Sequence, residues 1–247
     1  MTDFITTPEG RRIAYNRSAG EGPGIVFLHG LKSDMEGFKA LALEAWAQAQ
    51  GRAFLRLDVS GHGASGGVFE DGAIGDWFED ARAAIRALCT GPQLVVGSSM
   101  GGWLALLLAR DCPELVAGLV TIAGAPDFTE DGYVAAFTPA QAAALEAQGY
   151  VDLPSEYGAP YRITRRLIEE ARGRLVLRAP LRLAIPARFL QGTADTAVPV
   201  SVALRLFEHA EGADIRLTLV KGTDHRFSDP DDLRLIEATV GEVLSRL

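Results

Sequence analysis

The sequence predicts an α/β fold: a mostly parallel central sheet, helices on both faces and a small inserted helical cap. Three observations carry this. Short apolar runs ending in glycine or another small residue recur along the chain, as GIVFLHG, AFLRLDV, QLVVGS and VAGLVTIAG. Such runs suit central strands buried on both faces. Helical stretches lie between them, FKALALEAWAQAQ, IGDWFEDARAAIRALC and GGWLALLLARDC, which is the rhythm of βαβ units. That rhythm breaks after Gly124 and resumes with PARFLQGT. An insertion between two halves of one sheet is the pattern of a cap over a site.

Taken in order, DFITT and RRIAYN around PEGR predict a β-hairpin. The alternating core follows, and residues 1–125 and 181–247 are expected to form one unit. Residues 126–180 hold no apolar strand run. They predict helices punctuated by proline and glycine, TPAQAAALEAQ and then YRITRRLIEEARGRL. After PARFLQGT come a helix over 200–209, the strand IRLTLVKG and a last helix starting near Pro230, where proline suits a first helical position.

A chain of 247 residues with 48% hydrophobic and 23% charged residues can bury a sizeable core as one domain. A net charge of −8 argues against nucleic acid as the main partner, because phosphate binding needs a basic face. Cys89 and Cys112 are too few for a disulfide framework and read as buried thiols. The start MTDFITTPEGRR lacks a signal-peptide run, and WLALLLA is too short to span a bilayer. A reducing, cytoplasmic setting with no membrane span is the expectation.

Gly97-Ser98-Ser99-Met100-Gly101 fits G-x-S-x-G with Ser99 at its centre. An apolar strand precedes it and a strong helix follows, so the serine is expected in a strained strand-to-helix turn with its hydroxyl exposed. The helix N-terminus there favours negative charge. Gly63-Ala64-Ser65-Gly66-Gly67 fits the same pattern, and Gly61 to Gly66 fits G-x-G-x-x-G. No helix opens on either, so both read as a flexible loop rather than a nucleophile or a dinucleotide site. No P-loop and no H-E-x-x-H occurs, so phosphate and zinc chemistry lack support, and neither a metal nor a cofactor is expected.

A serine hydroxyl is a weak nucleophile until a base takes its proton. Among four histidines, His225 lies in GTDHRF after the last strand and before the last helix, where such a base belongs. The plain alternative is a surface loop histidine. His29 lies after the first parallel strand and reads as a turn-shaping residue, His62 sits in the glycine-rich loop, and His209 lies on a helix. For the acid that orients His225, Asp195 in Gly192-Thr193-Ala194-Asp195 fits the chain order Ser, Asp, His. Its alternative is a turn-capping aspartate. Asp127, after VAGLVTIAG, is a rival, and Asp224 is adjacent to His225. The two backbone N–H donors of an oxyanion hole are expected at Met100, directly after the nucleophile, and at Leu31, after the first strand.

FLHGLKSDMEGFKALALE, LDVSGHGASGG, GPQLVVGSSMGGWLALLLA, QGTADTAVPV, YVDLPSEYG and GTDHRFSD together resemble the mitochondrial α/β-hydrolase-domain proteins. Those proteins are palmitoyl-protein thioesterases and mycophenolic acid acyl-glucuronide esterases. The resemblance covers most of the chain and is densest from Gly24 to Arg110. It implies an α/β-hydrolase fold and a small-molecule ester or thioester, or an acylated protein, as substrate. It matches Ser99, Asp195 and His225 to the family's triad and Leu31 and Met100 to its oxyanion positions.

The reaction expected from these residues runs through an acyl-enzyme. The same triad on a C–C or peptide bond is an alternative, as is a binding protein on the same fold without turnover; labelling by a fluorophosphonate separates the last. In the insert, Phe137, Leu145, Tyr150, Tyr157 and Tyr161 accompany Arg162, Arg165 and Arg166. These arginines are candidate substrate-binding residues for a carboxylate-bearing ester, because guanidinium pairs with carboxylate bidentately. The plain alternative is that they are solvated while the apolar residues pack the cap onto the core.

Overall fold

Apolar alternation decides the architecture. In the computed structural model, which describes residues 2–154 and 160–247, the elements follow the expected rhythm. The chain runs β1 (Asp3–Thr6), β2 (Arg12–Ser18), β3 (Glu21–Leu28), α1 (Phe38–Ala49), β4 (Arg52–Leu57), α2 (Ile74–Leu88), β5 (Gln93–Ser98), α3 (Met100–Asp111) and β6 (Val116–Ile122). A π-helical segment Phe128–Val134 leads into α4 (Pro139–Gln148), β7 (Tyr150–Leu153), β8 (Tyr161–Thr164) and α5 (Arg165–Ala171). The chain ends with β9 (Leu181–Arg182), β10 (Ala187–Gly192), α6 (Val200–His209), β11 (Ala210–Glu211), β12 (Ile215–Val220) and α7 (Pro230–Leu244).

One sheet runs in the order β1-β2-β4-β3-β5-β6-β10-β12. The β1–β2 hairpin is antiparallel, as is β2 on β4, and from β4 onward the pairs are parallel. Successive side chains on a strand point to opposite faces, and the core divides accordingly. Val26, Leu28, Val95, Leu119 and Phe189 face the layer of α2 and α3. Ile25, Phe27, Leu94, Val96, Val120 and Leu190 face α1 and α7. Helix α3 is buried almost throughout, Trp103 included, because the insert covers the side that α2 and the sheet leave open. Cys112 is buried as expected, whereas Cys89 is half-buried. No described helix is long and apolar enough to cross a membrane.

The insert differs from its wholly helical expectation. α4 forms with Pro139 at its start and a capping box between Thr138 and Gln141. YRIT, expected as helix, instead pairs antiparallel with Tyr150–Leu153. The physical reason is Ile163, fully buried opposite Val151: alternation, not a 3.6-residue period, buries the apolar side chains here. Helix α5 begins only at Arg165, with the Thr164 side chain capping Leu167 N–H at 3.1 Å.

Polar clamps close the base of the insert and fasten it to the core. At the base, the Asp127 carboxylate accepts from Val176 N–H at 2.8 Å and Leu177 N–H at 3.0 Å, joining the two ends of the insert. Trp103 Nε1 donates to Arg174 O at 3.1 Å, and Arg110 donates to Leu175 O at 2.9 Å. Gly75 N–H donates to Glu170 at 2.8 Å.

Candidate active site

Ser99 sits where β5 ends and α3 begins. Its backbone takes φ +54 and ψ −118, a strained conformation for a residue with a Cβ. The turn is tight enough to exclude side chains on both flanks. A Cβ on Gly97 would stand 2.1 Å from Gly101 O, and one on Gly101 would stand 2.1 Å from Leu28 O. Ser99 N–H donates to Ile122 O at 2.9 Å, while its carbonyl accepts from Gly102 N–H and Ala125 N–H. These bonds hold the strained turn against the neighbouring strand and leave the hydroxyl directed elsewhere.

The hydroxyl meets His225. His225 Nε2 lies 3.1 Å from Ser99 Oγ, and its Nδ1 lies 2.8 Å from Asp195 Oδ2. An ionised carboxylate only accepts, so Nδ1 carries the proton and Nε2 presents a lone pair to the serine. Three segments far apart in sequence supply this line. The His225 loop is organised by Asp224, whose carboxylate accepts from Arg226 N–H at 2.9 Å. Phe227, buried with φ +50, completes the turn. The loop docks on the Asp195 loop at Gly192, where a Cβ would stand 2.2 Å from Thr223 O.

Asp195 is buried. Burial pushes its carboxyl pKa up, but hydrogen bonds from His225, Val198 N–H and Gln191 outweigh this and hold it below the usual carboxylate range. Its second oxygen accepts from Ala197 N–H at 2.9 Å and Val198 N–H at 2.8 Å. The turn-capping role and the His225 contact are thus carried by the two oxygens of one carboxylate.

The rivals lie elsewhere. Asp127 is fully buried and spends both oxygens on the insert. Asp224 caps its own turn. Ser65 accepts from Ala14 N–H at 2.7 Å and donates to Asp58 O at 2.6 Å, fastening the glycine-rich loop. His29 is buried, with Nδ1 2.7 Å from Gly30 O and Nε2 accepting from Val59 N–H at 3.2 Å. Its ring lies 5.1 Å from that of His62, which packs edge-on to Trp77 and Phe69. His209 bonds Ala179 O at 2.7 Å.

Met100 opens α3, so its N–H has no intrahelical acceptor. Leu31 is a central residue of a turn closed by Ser33 N–H donating to Gly30 O at 3.2 Å, with Lys32 at φ +56. Gly30 brings this loop against Ser99, since a Cβ there would stand 3.2 Å from Ser99 Cβ.

A cavity of about 590 Å³ opens beside Ser99. Its walls come from the loop after β3, the start of α1 and the His225 loop: Leu31, Lys32, Phe38, Lys39 and Arg226 among them. Tyr161 also lines it. Arg162, Arg165 and Arg166 do not. Arg162 forms a two-pronged pair with Asp152 and stacks on Tyr150. Arg165 donates to Leu145 O and Glu146 O, the last carbonyls of α4. Arg166 reaches Asp71 O and Asp76, tying the insert to the start of α2. Each guanidinium is thus engaged in building the insert. Phe137 and Leu145 pack on the core, and Tyr157 lies outside the described residues. No motif marked Lys39, Phe38 or Arg226; their only signal was sequence proximity to Leu31 and His225.

Comparison with known proteins came out consistently. The model of the alpha/beta hydrolase family matches residues 25–236. The mitochondrial palmitoyl-protein thioesterase ABHD10 of Bos taurus is 35% identical over 249 residues, covering 99% of this chain and 80% of that relative. The structure of alpha/beta hydrolase domain-containing protein 10 from mouse superposes with a TM-score of 0.92 at 33% identity, covering 100% of this chain and 99% of that one. A crystal structure from Agrobacterium vitis S4 gives a TM-score of 0.94 at 38% identity, with 98% of each chain covered.

Proposed function

The chain belongs to the alpha/beta hydrolase family, and on that premise we propose that it hydrolyses a carboxylic ester or thioester through an acyl-serine intermediate. The observation that carries this reading is the line from Asp195 Oδ2 through His225 to Ser99 Oγ, at 2.8 and 3.1 Å. The relatives named as palmitoyl-protein thioesterases favour an acyl ester or thioester, an acylated protein included.

In this reading Ser99 Oγ attacks the acyl carbonyl while its proton passes to His225 Nε2. Asp195 stabilises the imidazolium that forms. The developing oxyanion accepts from the N–H groups of Met100 and Leu31, the former favoured further by the N-terminus of α3. His225 then returns the proton to the departing alcohol or thiol. Water enters, gives a proton to the same nitrogen and attacks the acyl-serine, releasing the carboxylic acid and restoring the serine. No cofactor takes part. Residues 126–180 act as the cap, and Tyr161 is their contribution to the cavity among the described residues.

The test is labelling by a fluorophosphonate together with turnover of a p-nitrophenyl ester and an acyl thioester. Wild type should label and turn over, and Ser99→Ala should do neither. Full labelling of Ser99→Ala would move the nucleophile elsewhere. Absence of labelling in the wild type would favour a binding protein on this fold.

A further inference from the structure

Lys39 is the second residue of α1, the helix that follows the Leu31 loop. It lines the same cavity as Ser99 and His225. Its ammonium does not simply project into water: it donates to the carbonyl of Arg226, the residue after His225. The Asp224 side chain already holds the N–H groups of Arg226 and Phe227. The base-bearing turn is therefore fastened on its N–H side from within and on its carbonyl side from α1.

The charges around Lys39 are uneven. Asp224 faces it from the His225 loop, Asp232 from α7 and Asp195 from the loop after β10. Asp34 and Glu36 line the same cavity from the loop before α1. Burial nonetheless dominates and brings the lysine down to about 8. Below that pH the ammonium is a positive charge set among these carboxylates.

Building on the triad reading above, we propose that Lys39 is a positioning residue: it staples the His225 loop to α1, holding the imidazole in line with Ser99, and places a positive charge at the base-bearing turn. Two consequences separate this from a merely structural lysine. Losing the staple should lower kcat more than it raises KM, because the misplacement lies between base and nucleophile rather than in substrate contact. Losing the charge should move the acid limb of kcat/KM to higher pH, because the remaining carboxylates then favour imidazolium.

The experiment compares wild type, Lys39→Met, Lys39→Gln, Lys39→Arg and Ser99→Ala. It reads fluorophosphonate labelling rate, p-nitrophenyl ester kinetics from pH 5 to 9 and circular dichroism. Lys39→Met should lower kcat by about tenfold or more with KM within about threefold. Its acid limb should move up by about half a pH unit or more. Lys39→Gln, which keeps a donor but no charge, should recover kcat and keep the displaced limb. Lys39→Arg, which keeps the charge, should leave the limb at its wild-type position. A wild-type kcat and pH profile in Lys39→Met overturns the proposal, as does an unmoved limb in Lys39→Gln. If Lys39→Met fails to fold, the glutamine and arginine variants decide by the same readouts. Retained labelling in Ser99→Ala would instead sink the triad reading itself.

Discussion

Gly30 leaves no room for a side chain beside Ser99: a Cβ on the glycine would stand 3.2 Å from Cβ of the serine. The absence of a side chain at position 30 lets the Leu31 loop sit close against Ser99. Gly30→Ala should press the loop and the serine apart by a few tenths of an ångström. The expected result is a fall in kcat of roughly tenfold to a hundredfold, with the thermal midpoint little changed. Steady-state kinetics check it, and wild-type kcat would mean that the Leu31 N–H does not serve the oxyanion.

Asp195 and Asp127 should separate activity from stability. Asp195→Asn removes the acceptor that orients His225, and kcat should fall by about 10⁴ with the fold intact. Asp127→Asn places an amide against the N–H groups of Val176 and Leu177. It should lower the thermal midpoint and leave kcat of the folded fraction near wild type. The reverse ranking would relocate the acid to the loop after β6.

Ser65 shares its sequence pattern with Ser99 and nothing of its surroundings. Ser65→Ala leaves Ala14 N–H without its acceptor, a loss of about 1–2 kcal/mol by urea unfolding. Fluorophosphonate labelling should be unaffected. Reduced labelling of the folded variant would return Ser65 to the list of nucleophiles.

Two buried histidines should make the fold acid-sensitive. Burial lowers His62 to about 3, and burial likewise lowers His29. The unfolded chain takes up these protons below about pH 6.5 while the folded chain does not. Stability is therefore fully present above that pH and declines as the pH falls toward 3. Each histidine steepens the decline by up to about 1.4 kcal/mol per pH unit. Urea midpoints between pH 7.5 and 5 should fall, and His62→Phe should flatten the slope. An equal slope in that variant would place the acid sensitivity elsewhere.

The arginines of the insert should affect its construction rather than substrate choice. Arg165→Ala removes the side-chain donor shared by Leu145 O and Glu146 O, and Arg166→Ala cuts the tie to Asp76. Both should lower the thermal midpoint, whereas Arg162→Ala, at an exposed pair, should leave it unchanged. None should discriminate carboxylate-bearing from neutral esters. A selective loss for the charged ester at one position would restore that arginine to substrate binding.

Most of the sheet and its helices were legible because each is a local pattern. Continuous apolar runs, buried on both faces, mark β3, β5 and β6, and the strand–serine–helix junction marks the Ser99 turn within five residues. The β7–β8 hairpin was not legible. YRIT runs directly into a good helix-forming segment, and only its pairing with Tyr150–Leu153 buries Ile163.

The sequence by itself determined which residue types stand at each strand end, and so that a serine, a histidine and several aspartates were available for one constellation. Only tertiary structure decided which aspartate meets the histidine. Asp127 and Asp195 both follow central strands; what separates them is the partner each finds. Residues 176–178 come round to Asp127, 49 to 51 positions along the chain, and use up its oxygens. His225, 30 positions on, reaches Asp195. The cavity was decided in the same way, because its walls come from the loop after β3, the start of α1 and the His225 loop. Local patterns specify how a segment folds; long-range packing specifies which segments face each other, and that depends on every element between them.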